Sequence, residues 1–358
     1  MDHERYAISP LAISHSEMLY RFARFVVACT VLLILAGSLV TSHDAGLSVP
    51  DWPTSYGWNM FTFPPSMWVA NILYEHGHRL IASGVGFLTI ILAIWLWIAE
   101  LERRWLRWFG VGALAAVMAQ GLLGGITVLF LLPPAVSTAH ATLAEIFFCM
   151  TVAIAVFTSP KWKAQADPVD DARLRRVTTA TTAVIFCQII VGATMRHTGA
   201  GLAIPDFPWM FGHVVPDHWD AKIAVHFAHR LGAIVVAMCV VGSGVYILRR
   251  HTDRSELASA SLVLLLLTIV QITLGASVVV SHLLPWINSV HVVVGALVLT
   301  TSLVITLRSW RVKFSDPVRP FDAARGRPEP VEGRPKPDST YEDGIRLPPD
   351  PGIARRPA

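Results

Sequence analysis

Apolar residues in this chain come in long unbroken runs. They do not form the one-faced stripes of soluble helices or the alternation of strands. Eight runs stand out, at roughly 22–42, 76–99, 106–131, 138–158, 177–195, 224–248, 258–280 and 287–308. Each is close to the ~20 residues that a helix needs to cross a bilayer. The pattern predicts an all-α integral membrane protein with eight transmembrane helices. The first run starts too late and is too long for a cleaved secretory signal, so it reads as a span.

Composition agrees. Of 358 residues, 53% are hydrophobic and only 15% charged, against about 25% charged in soluble domains. A soluble globular protein is thereby excluded. Cys29, Cys149, Cys187 and Cys239 all lie inside apolar runs, with no CxxC spacing, so neither a disulfide framework nor a structural zinc site is expected.

Charge then orients the spans. Arg103, Arg104 and Arg107 follow the second run. Lys161, Lys163, Arg173, Arg175 and Arg176 follow the fourth, and Arg249, Arg250 and Arg254 the sixth. The alternate connections, 43–75, 132–137, 196–223 and 281–286, hold almost none; only Arg79, Arg196, Lys222 and Arg230 fall toward that side. The positive-inside rule therefore predicts a multi-pass protein of the inner (plasma) membrane with both termini cytoplasmic. The net charge of +4 reflects this sorting by membrane side and implies no nucleic-acid partner. Residues 1–21 are expected as a cytoplasmic N-terminus and 159–176 as a cytoplasmic linker. Residues 309–358 are expected as a disordered cytoplasmic tail, because close to half of the chain's 23 prolines fall after Lys313 among charged residues.

The chain also repeats itself. Gln120, Gly124 and His140 recur as Gln271, Gly275 and His291, and His78-Arg79-Leu80 recurs as His229-Arg230-Leu231, each at an offset of 151. The loop Ala45-Gly-Leu-Ser-Val-Pro-Asp-Trp-Pro53 recurs as Ala200-Gly-Leu-Ala-Ile-Pro-Asp-Phe-Pro208 at an offset of 155. Residues 22–158 and 177–308 therefore form two four-helix halves. An even number of helices per half gives both the same orientation, which predicts bundles related by a pseudo-twofold axis along the membrane normal.

Histidine sorts opposite to arginine: eleven of 14 lie toward the outer side. In each half one opens the second helix (His78, His229) and one the fourth (His140, His291). Two neutral imidazoles facing each other across a four-helix bundle suit the axial positions of haem iron. Arg79 and Arg230 follow two of them, at the level where haem propionates would emerge. The blander alternative is a set of interfacial histidines bonded to loop carbonyls. His76 and His226 could bond a propionate or face the loop, and the second is preferred. His43, His197, His213, His218 and His282 read as loop residues without ligand spacing. Gln-x-x-x-Gly steps, including Gln188 to Gly192, read as close helix packing, and Asp51 and Asp206 as braces of loop turns.

The two intramembrane carboxylates belong to the first half. Glu75 lies one turn before His78, and the matching position in the second half is His226; Glu145 maps to Ala296. A carboxylate beside a haem edge can accept protons or stabilise positive charge at a reacting carbon. The alternatives are a salt bridge from Glu75 to Arg79, and a buried hydrogen-bonded acid at Glu145.

Together, the Glu-x-x-His-Arg step of Glu75 to Arg79, the second His-Arg step, the lone His opening helices four and eight and the Gly-Leu-Ser-Val-Pro-Asp-Trp-Pro loop resemble the haem A synthase family over roughly residues 20–310. The type is similar to the proteobacterial and mitochondrial members; some bacterial members carry a loop cysteine pair that this chain lacks. The resemblance implies oxidation of the C8 methyl of haem O to a formyl, giving haem A for terminal oxidases. It implies that His78 and His140 flank the substrate haem O, that His229 and His291 ligate a resident haem b, and that Glu75 is catalytic. Haem O synthase and cytochrome oxidase assembly proteins are the implied partners, beside membrane lipid, with homo-oligomerisation left open. The competing readings are a quinol-linked dihaem b electron-transfer protein, which leaves the one-sided Glu75 unexplained, and a parallel-repeat transporter, which would need midplane charges in both halves.

Overall fold

The computed structural model describes residues 10–163 and 170–311. Eight long helices make up the described chain: α1 (Pro10–Ser42), α2 (Asn71–Ala99), α3 (Arg104–Leu129), α4 (Pro134–Thr158), α5 (Ala172–His197), α6 (Ala221–Arg250), α7 (Ser255–Val280) and α8 (Pro285–Ser309). All eight are long and apolar enough to cross a membrane. The linker between α4 and α5 adds one short helical turn, Pro160–Lys163.

Each helix covers its predicted apolar run to within a few residues except α1, which starts twelve residues before the run at 22. Apolarity detects only the part that needs lipid. The earlier residues continue the helix through good helix formers and an exposed Glu17–Arg21 ion pair of 3.0 Å, four residues apart. The expected N-terminal segment 1–21 is thus helical from Pro10 onward. The expected tail falls mostly after Arg311, outside the described residues, as do residues 164–169 of the linker.

Within each half the helices close into a ring: α1 packs on α2, α2 on α3, α3 on α4 and α4 back on α1, and α5 to α8 do the same. The halves meet through α1 on α8, α4 on α5, and α4 on α8. Exchanging the halves leaves this packing scheme unchanged. α4 and α8 are the most buried spans because they line this junction.

The apolar cores sit at one end of each ring. In the first half the cluster is built on Leu19, Val26, Val85, Leu92, Leu96, Leu106, Phe147 and Ile154. In the second it is built on Leu174, Ile185, Val240, Ile247, Leu257, Leu264, Leu299 and Ile305. Both clusters lie mainly in the parts of the helices remote from the repeated histidines, although the second extends to Val294, one turn past His291. Phe25, Leu32, Phe87, Ile94, Leu266 and Ile269 instead point outward, as lipid-facing residues should. Many hydroxyls inside the spans find acceptors within the protein, because lipid offers none, although the buried Oγ atoms of Ser38 and Ser137 have no partner among the described residues. Thr30 and Thr268 bond the carbonyls of Val26 and Leu264. Between α5 and α8, Thr182 bonds Ser302 at 2.7 Å and Thr306 at 2.8 Å, and Thr178 bonds Ser309 at 2.9 Å.

Candidate functional site

The repeated histidines lie at the end of the bundle that carries the charge-poor loops. His78 is in the second turn of α2 and His229 in the third turn of α6; His140 and His291 are in the second turns of α4 and α8. In each ring the two bearing helices are diagonal neighbours. His78 and His140 are within electrostatic reach of each other, as are His229 and His291.

What makes room for these rings is glycine on the adjacent helix. A Cβ added at Gly37 of α1 would lie 2.8 Å from Cε1 of His78, and one at Gly124 of α3 would lie 3.1 Å from that of His140. The second half repeats this: Gly192 stands 2.8 Å from His229, and Gly275 3.1 Å from His291. The glycine of each Gln-x-x-x-Gly step therefore receives an imidazole, a finer role than the helix packing expected of it. The glutamines reach the same histidines. Gln188 donates to Nδ1 of His229 at 3.0 Å and to its carbonyl at 2.7 Å. Gln120 donates to the carbonyl of His140 at 2.9 Å, and Gln271 approaches Nε2 of His291 at 3.4 Å. At the offset of 155, Gly37 is the counterpart of Gly192, but Leu33 stands where Gln188 would be. Sequence reasoning missed Gly37 because that first-half step lacks its glutamine.

A buried ring nitrogen without a partner is costly. Nδ1 of His78, His140 and His291 has no hydrogen-bond partner among the described residues. Diagonal imidazoles in a glycine-lined space, with unsatisfied nitrogens, fit the donor set of a bis-histidine haem. Because added methyls would strike the rings, Gly192→Ala is expected to displace His229 and to lower bound low-spin haem several-fold. Gly242→Ala in α6, whose added Cβ meets nothing within 4 Å, is expected to leave it unchanged. Absorbance of the purified proteins checks this.

Above the histidines the two long loops repeat one aspartate-braced backbone turn. Asp51 accepts from the backbone N–H groups of Tyr56 at 2.7 Å and Gly57 at 2.9 Å; Asp206 accepts from Phe211 at 2.8 Å and Gly212 at 2.9 Å. Gly57 and Gly212 both have φ +77°, a conformation costly for other residues. The Gly212 N–H, with that of Phe211, holds the Asp206 carboxyl below its ordinary range. Both aspartates are braces of turns, as their sequence context suggests.

The arginines grip these loops. Arg79 donates to the carbonyls of Asp51 at 2.7 Å, Thr54 at 3.0 Å and Val49 at 2.8 Å. Arg230 donates to the matching carbonyls of Asp206 at 2.8 Å, Trp209 at 3.0 Å and Ile204 at 3.0 Å. The sequence points these guanidiniums at propionates; in the structure a propionate would have to share donors with the loops.

The carboxylates differ in their surroundings. Glu75, 3% exposed, accepts from Arg79 at 2.7 Å and from the backbone N–H of Val49 at 2.8 Å. In the second half His226 occupies the same position: the N–H of Ile204 meets its Nδ1 at 3.3 Å, and Nε of Arg230 meets its Nε2 at 3.1 Å. A neutral imidazole has one acceptor nitrogen, so it satisfies only one of these donors at a time. Glu145, 5% exposed, keeps Oε2 without a hydrogen-bond partner among the described residues, which differs from the hydrogen-bonded acid expected there. His76 is fully buried, bonded through Nδ1 to Ser55 at 3.2 Å and ringed by Phe63 and Trp68, so it faces the loop as preferred. His197 is the last residue of α5 and not a loop residue. Among the described residues no group of three or more His, Cys, Asp or Glu is arranged to hold a metal ion directly.

Residues 20–303 match the family model of COX15-CtaA, cytochrome oxidase assembly protein. The chain belongs to this family. Relatives include haem A synthases of Geobacillus kaustophilus (26% identical over 87% of this chain and 97% of the relative) and Shewanella oneidensis (27% identical over 80% and 95%). Another is the haem A synthase of Symbiobacterium thermophilum, 29% identical over 70% of this chain and 81% of the relative. The family match runs from within α1 to within the last turns of α8, so it takes in both loops and nearly all of both four-helix rings.

Proposed function

We propose that this protein is a haem A synthase, a membrane oxidoreductase that converts the C8 methyl of haem O to a formyl and so makes haem A for terminal oxidases. The family and the relatives' names support the activity. The division of labour rests on one observation: both rings repeat the same histidine, glycine, arginine and loop scaffold, but only the first places a carboxylate beside its histidine. His226 shows that the loop can be anchored at that position without a carboxylate. What Glu75 adds over His226 is a fixed negative charge and a proton acceptor.

In this reading His78 and His140 hold the substrate haem O, and His229 and His291 hold a resident haem b. When bound, that cofactor supplies one-electron chemistry. The protein supplies position, exclusion of water and the carboxylate. Glu75 is fixed by Arg79 and by the Val49 N–H, so it needs little reorganisation to stabilise positive charge developing at the methyl carbon or to take its proton. The loops over both sites, clamped by Arg79 and Arg230, keep water from the reacting edge. Haem O synthase is the partner that would hand over the substrate, in the inner membrane with both termini cytoplasmic.

Purification from cells that co-express a haem O synthase, followed by pigment extraction, tests the proposal. Haem b together with haem O and haem A is the expected content. Haem b at both sites, with no haem A formed, would favour the quinol-linked dihaem reading.

A further inference from the structure

Four basic residues fall toward the histidine end, and three have evident tasks or positions. Arg79 and Arg230 hold loop carbonyls, and Lys222 is exposed. The fourth, Arg196, is the penultimate residue of α5 and reaches across the junction between the halves. Its Nη2 donates to the carbonyl of Ser38 and to Oγ of Ser42, both at 2.8 Å, on α1. Its Nη1 approaches Oδ1 of Asn288 on α8 at 3.4 Å. Every one of these acceptors is neutral; Asp44 is within electrostatic reach of the guanidinium but forms no ion pair with it within 4.0 Å among the described residues. A guanidinium at the end of a membrane span is costly to keep without an anion bound directly to it.

Its position is specific. Arg196 lies one helical turn beyond Gly192, the residue that receives the His229 ring. Asn288 lies one turn before His291, toward the same end, and His291 is within electrostatic reach of Arg196. The cation therefore stands on the loop side of the second ring, one turn beyond the glycine that receives His229 and within electrostatic reach of His291. Its first-half counterpart at the offset of 155 is Thr41, so this feature belongs to one site only.

We propose that Arg196 binds a propionate carboxylate of the haem held by His229 and His291. The inference rests on that ligand reading. A guanidinium fork matches a carboxylate, and a charge-assisted bond of this kind contributes about 1.5–3 kcal/mol, at least tenfold in affinity.

The test pairs a change in the protein with a change in the ligand. The full-length protein, produced under haem limitation, is titrated with haem b and with haem b dimethyl ester, whose propionates carry no charge. The wild type should bind haem b at least about tenfold more tightly than the ester. Arg196→Gln should bind the two alike, and Arg196→Lys should restore part of the preference. An equal haem-to-ester ratio in wild type and Arg196→Gln would overturn the proposal. If Arg196→Gln does not fold, a wild-type ratio near one overturns it equally. A preference lost for haem O but kept for haem b would move the contact to the substrate propionate and overturn the assignment made here. Haem b binding that survives in both His229→Ala and His291→Ala would show that the ligand reading has failed, a separate outcome.

Discussion

Glu75→Gln should fold, keep both haems and accumulate haem O, or a partly oxidised hydroxylated haem, in place of haem A. Glutamine preserves the shape and can still accept the Val49 N–H that Glu75 now holds at 2.8 Å. It gives up the ion pair with Arg79, but Arg79 keeps three loop carbonyls, so the loop should stay closed. The charge and the proton acceptor are lost, and removing one positioned acid or base typically costs 10²–10⁴-fold. In a site with little water to screen it, that charge has few substitutes. Pigments extracted from the variant would show the block directly. Glu75→His would copy the second half at this position and should be equally inactive with its loop intact. Undiminished haem A formation by both variants would reduce Glu75 to a structural partner of Arg79. Glu145, whose unpaired Oε2 is buried, would then be the carboxylate to test.

How much of this was legible beforehand depended on the range of the interaction. The spans were readable because lipid demands about twenty apolar residues in each, a signal that survives in any single run. The twelve extra residues of α1 were not, since they answer to no such demand. The four paired histidines were readable as a set because a repeat at a fixed offset exposes them. The same repeat hid Gly37, because Leu33 replaces the glutamine that marks Gly192 in the second half. The arginines are the clearest case of what sequence could not give. Adjacency to His78 and His229 suggested propionates, but a side chain that long chooses among several partners. Here the folded-back loops offer three carbonyls to each guanidinium. Arg196 stood out in the sequence only as one of four outer-side cations and received no role there, since its partners Ser38, Ser42 and Asn288 come from helices distant in the chain.

His229→Ala and His291→Ala should each remove the low-spin haem b spectrum of the purified protein while leaving haem at the His78–His140 pair. His226, the other imidazole on α6 at this level, is turned to the Ile204 N–H and to Arg230 and is no spare ligand. Truncation also removes more than an iron ligand. Each imidazole lies against a glycine, 2.8 Å from the Cβ position of Gly192 or 3.1 Å from that of Gly275, so alanine facing glycine leaves a void on both sides. Large-to-small changes in packed interiors cost about 2–5 kcal/mol, and here the cofactor's own binding energy is lost as well. Both variants should therefore melt earlier than the wild type, and His291→Ala should unsettle the junction, because α8 packs on α1, α4, α5 and α7. If haem A is still formed when the second-ring haem is gone, electrons from the substrate do not pass through that site. If both variants keep their haem b, the second pair is not the cofactor site, and the four repeated histidines need another account.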